Sequence, residues 1–284
     1  MPAVVITGAS TGIGRACALT LDGKGFRVFA GVRKEEDGHE LAKAAASGRL
    51  TPVQLDVTDT ASICAATEQV AAAVGDAGLN GLVNNAGTTL PGPIEFLPLS
   101  GFRHQLEVNL TGPLAITQSM LPLLRIARGR VVNVTSLGGR FGTPLMAPYA
   151  AAKHGLEGLS DVMRLEFGRL DVHVSIIEPG YVSTAMRGKL EHDTAETIRA
   201  LPDEARSRYA KPLATMAATI SRHAANGSPP EVVANAVHHA LTSRTPRTRY
   251  PVGKGARRLL LIRRVLTDRG FDRLILRMTG MNAR

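Results

Sequence analysis

Short runs rich in Val, Ile and Leu alternate with longer stretches in which apolar residues recur every three or four positions. The short runs predict strands over Ala3–Thr7, Arg27–Gly31, Leu50–Val57, Leu79–Asn84, Arg130–Thr135 and Val172–Ile177, with a last short strand over Arg249–Val252. Helices are expected from a Gly-rich turn to about Lys24, over Glu35–Ala46, Asp59–Val74 and Pro148–Gly168. A long helix over 101–127 is expected to be interrupted near Pro113 or Pro122. Runs such as VVIT and VSII are apolar on both faces, as parallel strands covered on both sides require. The alternation predicts an α/β fold: a doubly wound parallel sheet with helices on both faces.

Residues 185–228 break the rhythm. They are polar, with scattered Met and Leu, and a new helix is signalled only at Ser228-Pro229-Pro230-Glu231. Such an excursion suggests a segment that covers a pocket. Residues 1–255 therefore read as one domain, and 256–284 as a basic amphipathic tail.

Charge sharpens that division. The chain carries +10, from 34 basic and 24 acidic residues. Residues 1–243 hold 22 of each, whereas 244–284 hold 12 basic residues against Asp268 and Asp272. Within the tail, arginines interleave with apolar groups, and on a helix from Phe271 the side chains of Phe271, Leu274, Ile275 and Met278 share one face. Peripheral contact with an anionic membrane is one reading. Packing on the body, covering the substrate entrance and joining subunits are the others. The tail has few aromatics for stacking on bases, so no nucleic-acid partner is expected. The N-terminus has no basic region and only a short apolar run, and a cytoplasmic protein is expected. Cys17 and Cys64 lie in apolar helix-like stretches without metal-ligand spacing, and are expected to be buried hydrophobes. No metal site is predicted.

The first chemical candidate is Thr7-Gly8-Ala9-Ser10-Thr11-Gly12-Ile13-Gly14, between a strand and a helix. Glycines there allow close approach to a ligand, and the helix start offers free N–H groups to a pyrophosphate. The second is Tyr149 with Lys153, one helical turn apart and on one face. A free phenol titrates near ~10, and a neighbouring ammonium favours its ionised form. Lys153 can also donate to ribose hydroxyls. Ser136, at the end of the fifth strand, can hydrogen-bond a substrate oxygen and stabilise developing alkoxide charge.

TGASTGIG (7–14), LDVTD (55–59), NNAG (84–87), Asn109 in VNLTG, Ser136 in VVNVTS, Tyr149-x-x-x-Lys153 and Pro179-Gly180 with Thr184 occur in that order. In this the chain resembles the short-chain dehydrogenase/reductases over most of residues 1–243. The resemblance implies a Rossmann-type sheet, a nicotinamide cofactor and hydride transfer at an alcohol or carbonyl carbon. It implies Ser136, Tyr149 and Lys153 as catalytic residues, with Asn109 supporting a water relay from Lys153. It also implies cofactor contacts from Gly8, Ser10, Thr11, Gly12, Ile13 and Gly14; from Asp56 and Val57 beside the adenine; from Asn84, Ala86 and Gly87; and from Pro179, Gly180 and Thr184 at the nicotinamide end.

The end of the second strand bears on cofactor choice. Gly31 stands where NAD-preferring relatives place an acid, and Arg33 follows where a guanidinium can pair with a 2′-phosphate. NADP is therefore expected over NAD, although Thr11, Glu35 and Glu36 weigh the other way. LPLLRIARGRVVNVTS, SDVMRLEF and VSIIEPG resemble the retinol and hydroxysteroid dehydrogenase branch, which implies a lipophilic alcohol. Leu137, Phe141, Met146, Tyr181 and Met186, with Ser136 and Tyr149, are the candidate substrate wall. A reductase of a small polar oxo-substrate and a catalytically silent cofactor sensor are the alternatives. Homo-oligomers are usual in the family.

Overall fold

The computed structural model describes residues 1–281. The chain runs β1 (Ala3–Ile6), α1 (Gly12–Gly23), β2 (Arg27–Val32), α2 (Glu35–Ala44), β3 (Leu50–Gln54), α3 (Thr60–Val74), β4 (Gly81–Asn84), α4 (Leu99–Leu106), α5 (Gly112–Ala127), β5 (Arg130–Val134), α6 (Ala147–Phe167) and β6 (His173–Pro179). It continues through α7 (Met186–Ala200), α8 (Asp203–Ala225), α9 (Glu231–Thr242), β7 (Arg249–Val252), α10 (Ala256–Val265) and α11 (Asp268–Met278). The strands form one parallel sheet in the order β3-β2-β1-β4-β5-β6-β7. Strand order reverses between β1 and β4, and the carboxyl ends of those strands frame the crevice where such sheets take ligands.

Both faces of the sheet are covered, as the two-sided apolar strands require. Val4, Ile6, Val28 and Val132 pack with Leu21 of α1 and Val237 of α9 on one face. Val5, Phe29, Leu82 and Val131 pack with Ile116 and Met120 of α5 and Met163 of α6 on the other. The expected break in 101–127 falls just before Pro113: a π-turn over Glu107–Thr111 joins α4 to α5, and Pro122 is carried inside α5.

Two expectations change, and the structure selects among the readings of the tail. Residues 185–228 are not an irregular excursion but the helices α7 and α8, packed through Leu190, Leu201, Leu213 and Met216. Their polar outer faces and Pro212, which α8 contains, obscure a helical pattern in the sequence. Cys17 is buried as expected, but Cys64 is exposed. Helix α3 buries Ile63, Ala66 and Val70, and Cys64 lies off that stripe. The apolar face of α11 is not presented outward: Phe271 and Ile275 are buried against the body. Residues 282–284 of the tail lie outside the described residues.

Candidate active site

Gly8, Ser10, Thr11, Gly12 and Ile13 line a cleft above the crevice. Arg33, Asp56 and Val57 line it after β2 and β3, Ala86 and Gly87 after β4, and Pro179, Gly180 and Thr184 after β6. Helix α1 has no acidic residue in its first turn and no side-chain cap, so its N–H groups are open to an anion. The turn reaches this shape because Gly8 sits at φ +64°.

Two expected contacts stand one layer behind the wall. A Cβ on Gly14 would fall 2.1 Å from the Gly8 carbonyl oxygen, so Gly14 lets α1 close onto the turn without lining the cleft itself. Asn84 points into the interior, its Nδ2 donating to Asn133 Oδ1 at 2.8 Å and to Thr117 Oγ1 at 3.0 Å. Its neighbour Asn85 lines the cleft instead and donates to the carbonyls of Thr7 and Gly8, both at 3.0 Å. The diphosphate-ready helix start, the glycine cradle and the lining cations Arg33, Lys153 and Lys189 fit a dinucleotide. Asp56 is the one carboxylate along the wall among the described residues. Its Oδ1 accepts from Thr58 Oγ1 at 2.7 Å and Thr58 N at 2.9 Å, and these bonds, with Arg33 nearby, hold it below the ordinary carboxylate range.

Ser136 follows β5 and accepts from Gly138 N at 3.1 Å, starting a tight turn over Leu137–Gly139. That turn presses on α6: a Cβ at Gly138 would fall 2.9 Å from Tyr149 Cε1. Tyr149 stands beside Ser136, and both line the cleft. Lys153, one turn along α6, donates from Nζ to the Val134 carbonyl at 2.9 Å and also lines the cleft.

The electrostatics differ from the simple sequence argument. Burial pushes the Tyr149 phenol up, and the Ser136 hydroxyl pulls only part of the way back. Burial also brings Lys153 down to about 8, opposed by the Glu157 carboxylate. With its ammonium held at Val134, Lys153 does not offset the desolvation of the phenol. Tyr149 is therefore a protonated donor in this state.

Asn109 lies in the π-turn, fully buried, and lines neither cavity. Its Oδ1 accepts from Thr88 N and its Nδ2 donates to Thr88 O, both at 2.9 Å. Both ends of the amide are thus engaged in fixing the loop after β4.

A second, apolar cavity of about 1150 Å³, counting its open mouth, adjoins the cleft. Ser136, Leu137, Phe141, Met146, Tyr149, Tyr181 and Met186, the expected substrate wall, all line it. Ser136 and Tyr149 line both spaces, as do Thr89, Pro179, Gly180 and Thr184. Further wall comes from α8, through Ile220, Ser221 and Ala224, and from the tail, through Leu259, Ile275, Met278 and Thr279, none of which the sequence singles out individually as pocket-lining. The spacings 220/224 and 275/278/279 do mark helical faces, but no local signal says what those faces meet.

The comparisons with known proteins agree with this geometry. The family described as short chain dehydrogenase matches residues 2–195. The chain is 41% identical over 258 residues to 17-beta-hydroxysteroid dehydrogenase type 6 of Bos taurus, covering 88% of this chain and 80% of that protein. It is 38% identical over 278 residues to retinol dehydrogenase 5 of Mus musculus, covering 96% and 87%. Among solved structures, a single-site variant of actinorhodin polyketide ketoreductase with NADPH superposes with a TM-score of 0.72 at 28% identity, covering 88% of this chain and 94% of the other. The chain belongs to the short-chain dehydrogenase family and is an NAD(P)-dependent oxidoreductase acting on CH–OH groups.

Proposed function

We propose that the protein interconverts a lipophilic alcohol, retinoid- or steroid-like, with its carbonyl, and that it favours NADP(H). The observation that carries this reading is the shared wall. Ser136 and Tyr149 are among the hydroxyls common to a dinucleotide-shaped cleft and a cavity otherwise lined largely by Leu, Ile, Met, Phe and Ala.

The cofactor supplies or accepts the hydride. In the reductive direction Ser136 donates to the substrate carbonyl and orients it against Tyr149. The Tyr149 proton then moves to the carbonyl oxygen as the carbon gains the hydride. The phenolate left behind favours a nearby ammonium, the role assigned to Lys153, and the proton returns from solvent by way of Lys153. Asn109 and its π-turn hold the loop beside that route. Oxidation runs the same path backwards.

The NADP preference draws support from two positions. A Cβ at Gly31 would come within 3.0 Å of both the Ile6 carbonyl oxygen and Leu55, so an acid there is crowded out. Arg33, by contrast, lines the cleft and is free for a 2′-phosphate. The test is a panel of retinoid and steroid alcohols and ketones, followed by cofactor absorbance with each of NADPH and NADH. Turnover confined to small polar carbonyls, or faster with NADH, overturns the respective half of the reading.

Peripheral membrane contact belongs to this proposal through α10 rather than α11. Leu261 is 63% and Val265 75% exposed on a helix that also carries Arg257, Arg258, Arg263 and Arg264. No helix of the described residues is long and apolar enough to cross a membrane. Wild-type protein is expected to pellet with anionic vesicles more than with neutral ones, and Leu261→Ser/Val265→Ser to pellet less. Equal pelleting of both proteins rejects the contact. Self-association is proposed through the outer face of α6, where Val162 and Leu165 are exposed. Light scattering at the monomer mass rejects it.

A further inference from the structure

Ser221 lies on α8, is 5% exposed, and lines the apolar cavity. Its Oγ is buried and has no hydrogen-bond partner among the described residues. A helix hydroxyl ordinarily escapes that condition by donating to the carbonyl four residues back. Thr117, Ser160 and Thr279 do so here, bonding Pro113, Leu156 and Ile275. Ser221 does not, in a site where Ala would pack without an orphaned group.

The position of Ser221 in the cavity is equally specific. Residues common to cleft and cavity, among them Ser136 and Tyr149, mark the end where hydride and proton move. Ser221 belongs to the cavity alone, together with its neighbours Ile220 and Ala224 and the tail residues Leu259, Ile275 and Met278. It therefore stands in the part of the cavity wall that the cleft does not share. The other unpartnered buried hydroxyl of the cavity, Thr89, lies on the shared wall.

We propose that Ser221 is a specificity residue, and that the substrate is an elongated apolar alcohol or ketone carrying a second oxygen at the end remote from the reacting carbon. A hydroxyl both donates and accepts, so Ser221 serves a distal alcohol or a distal ketone equally. It turns about a single bond to meet the ligand, without backbone movement. A site built around such a bond rejects an analogue lacking the distal oxygen, because the buried group is then left unpaired. This rests on the lipophilic-substrate reading and divides it. A steroid with oxygens at both ends is accepted over a retinoid, whose far end is hydrocarbon.

The experiment uses a pair of steroids with the same reacting group, one oxygenated at the far end and one not. Binding to the NADP(H)-loaded enzyme is measured by calorimetry, and kcat/KM by cofactor absorbance. Wild-type protein is expected to favour the two-oxygen member about tenfold in both. Ser221→Ala should bring that ratio close to one, and Ser221→Cys, which restores a weak donor of similar size, should recover part of it. Equal preference in wild type and Ser221→Ala overturns the inference while leaving the lipophilic reading in place. Binding of neither steroid overturns the inference, and binding of neither steroid nor any retinoid alcohol overturns the lipophilic reading with it.

Discussion

Phe271 of α11 meets Phe141, close behind Ser136 in the chain, edge to face, with ring centroids 5.1 Å apart and planes at 67°. Phe141 lines the substrate cavity, so this contact fastens the tail to the cavity wall. Phe271→Ala removes a buried ring, a change worth roughly 3–5 kcal/mol. The loss should appear as local opening of α11 rather than global unfolding, because the sheet core is untouched. Hydrogen exchange should accelerate in α11, and KM for an apolar substrate should rise while cofactor affinity holds. Unchanged exchange in α11 contradicts this view of how the tail is anchored.

Tyr149→Phe keeps the ring against Gly138 and removes only the hydroxyl. Turnover is expected to fall by about a thousandfold, with thermal stability and cofactor binding near wild type. A folded Phe variant with most of its activity takes Tyr149 out of the proton path.

Arg33→Ala removes the cation assigned to the 2′-phosphate. Its charge-assisted bond is worth about 1.5–3 kcal/mol. KM for NADPH is expected to rise about ten- to a hundredfold, with little change for NADH. Parallel changes in both cofactors contradict the assignment.

Lys153 makes a prediction about stability as well as catalysis. Its folded value is about 8, below the ordinary 10.5, because burial disfavours the ammonium. Below pH 8 both states hold the proton, and the folded protein bears the whole penalty of the buried charge. Between about 8 and 10.5 the unfolded chain holds a proton that the folded protein has released, so stability from this group rises with pH. Lys153→Met, which cannot titrate, should therefore lose activity yet match or exceed wild-type stability at pH 7, by up to about 2 kcal/mol after loss of the Val134 hydrogen bond. The advantage should shrink towards pH 10. Denaturant melts of both proteins at pH 7 and pH 10 check the sign. A variant less stable at pH 7 and relatively more stable at pH 10 refutes it.

Much of this architecture is legible in the sequence. The apolar strands, the glycines around the first turn and the Tyr149–Lys153 spacing are local signals, and local geometry follows from them. Which atoms those residues touch is a different matter. Nothing near Asn84 in the chain shows that its amide turns to Asn133, so that Asn85 lines the cleft in its place. The tail illustrates the same limit. Phe271 and Ile275 read as one apolar face, but sequence alone does not distinguish a lipid surface from a protein wall. The structure places that face against Phe141 and the cavity, and α10 keeps Leu261 and Val265 outward.

The substrate cavity draws its walls from two unequal stretches of chain. The cofactor cleft is assembled within residues 8–189, nearly coextensive with the region 2–195 shared across the family. Ile220, Ser221, Ala224, Leu259, Ile275 and Met278 all come later. Inheritance can therefore act on the two separately. Substitutions after α7 can redirect what a descendant consumes while leaving its redox machinery untouched, so lineages that share an ancestral hydride-transfer apparatus are free to diverge in diet through their last ninety or so residues.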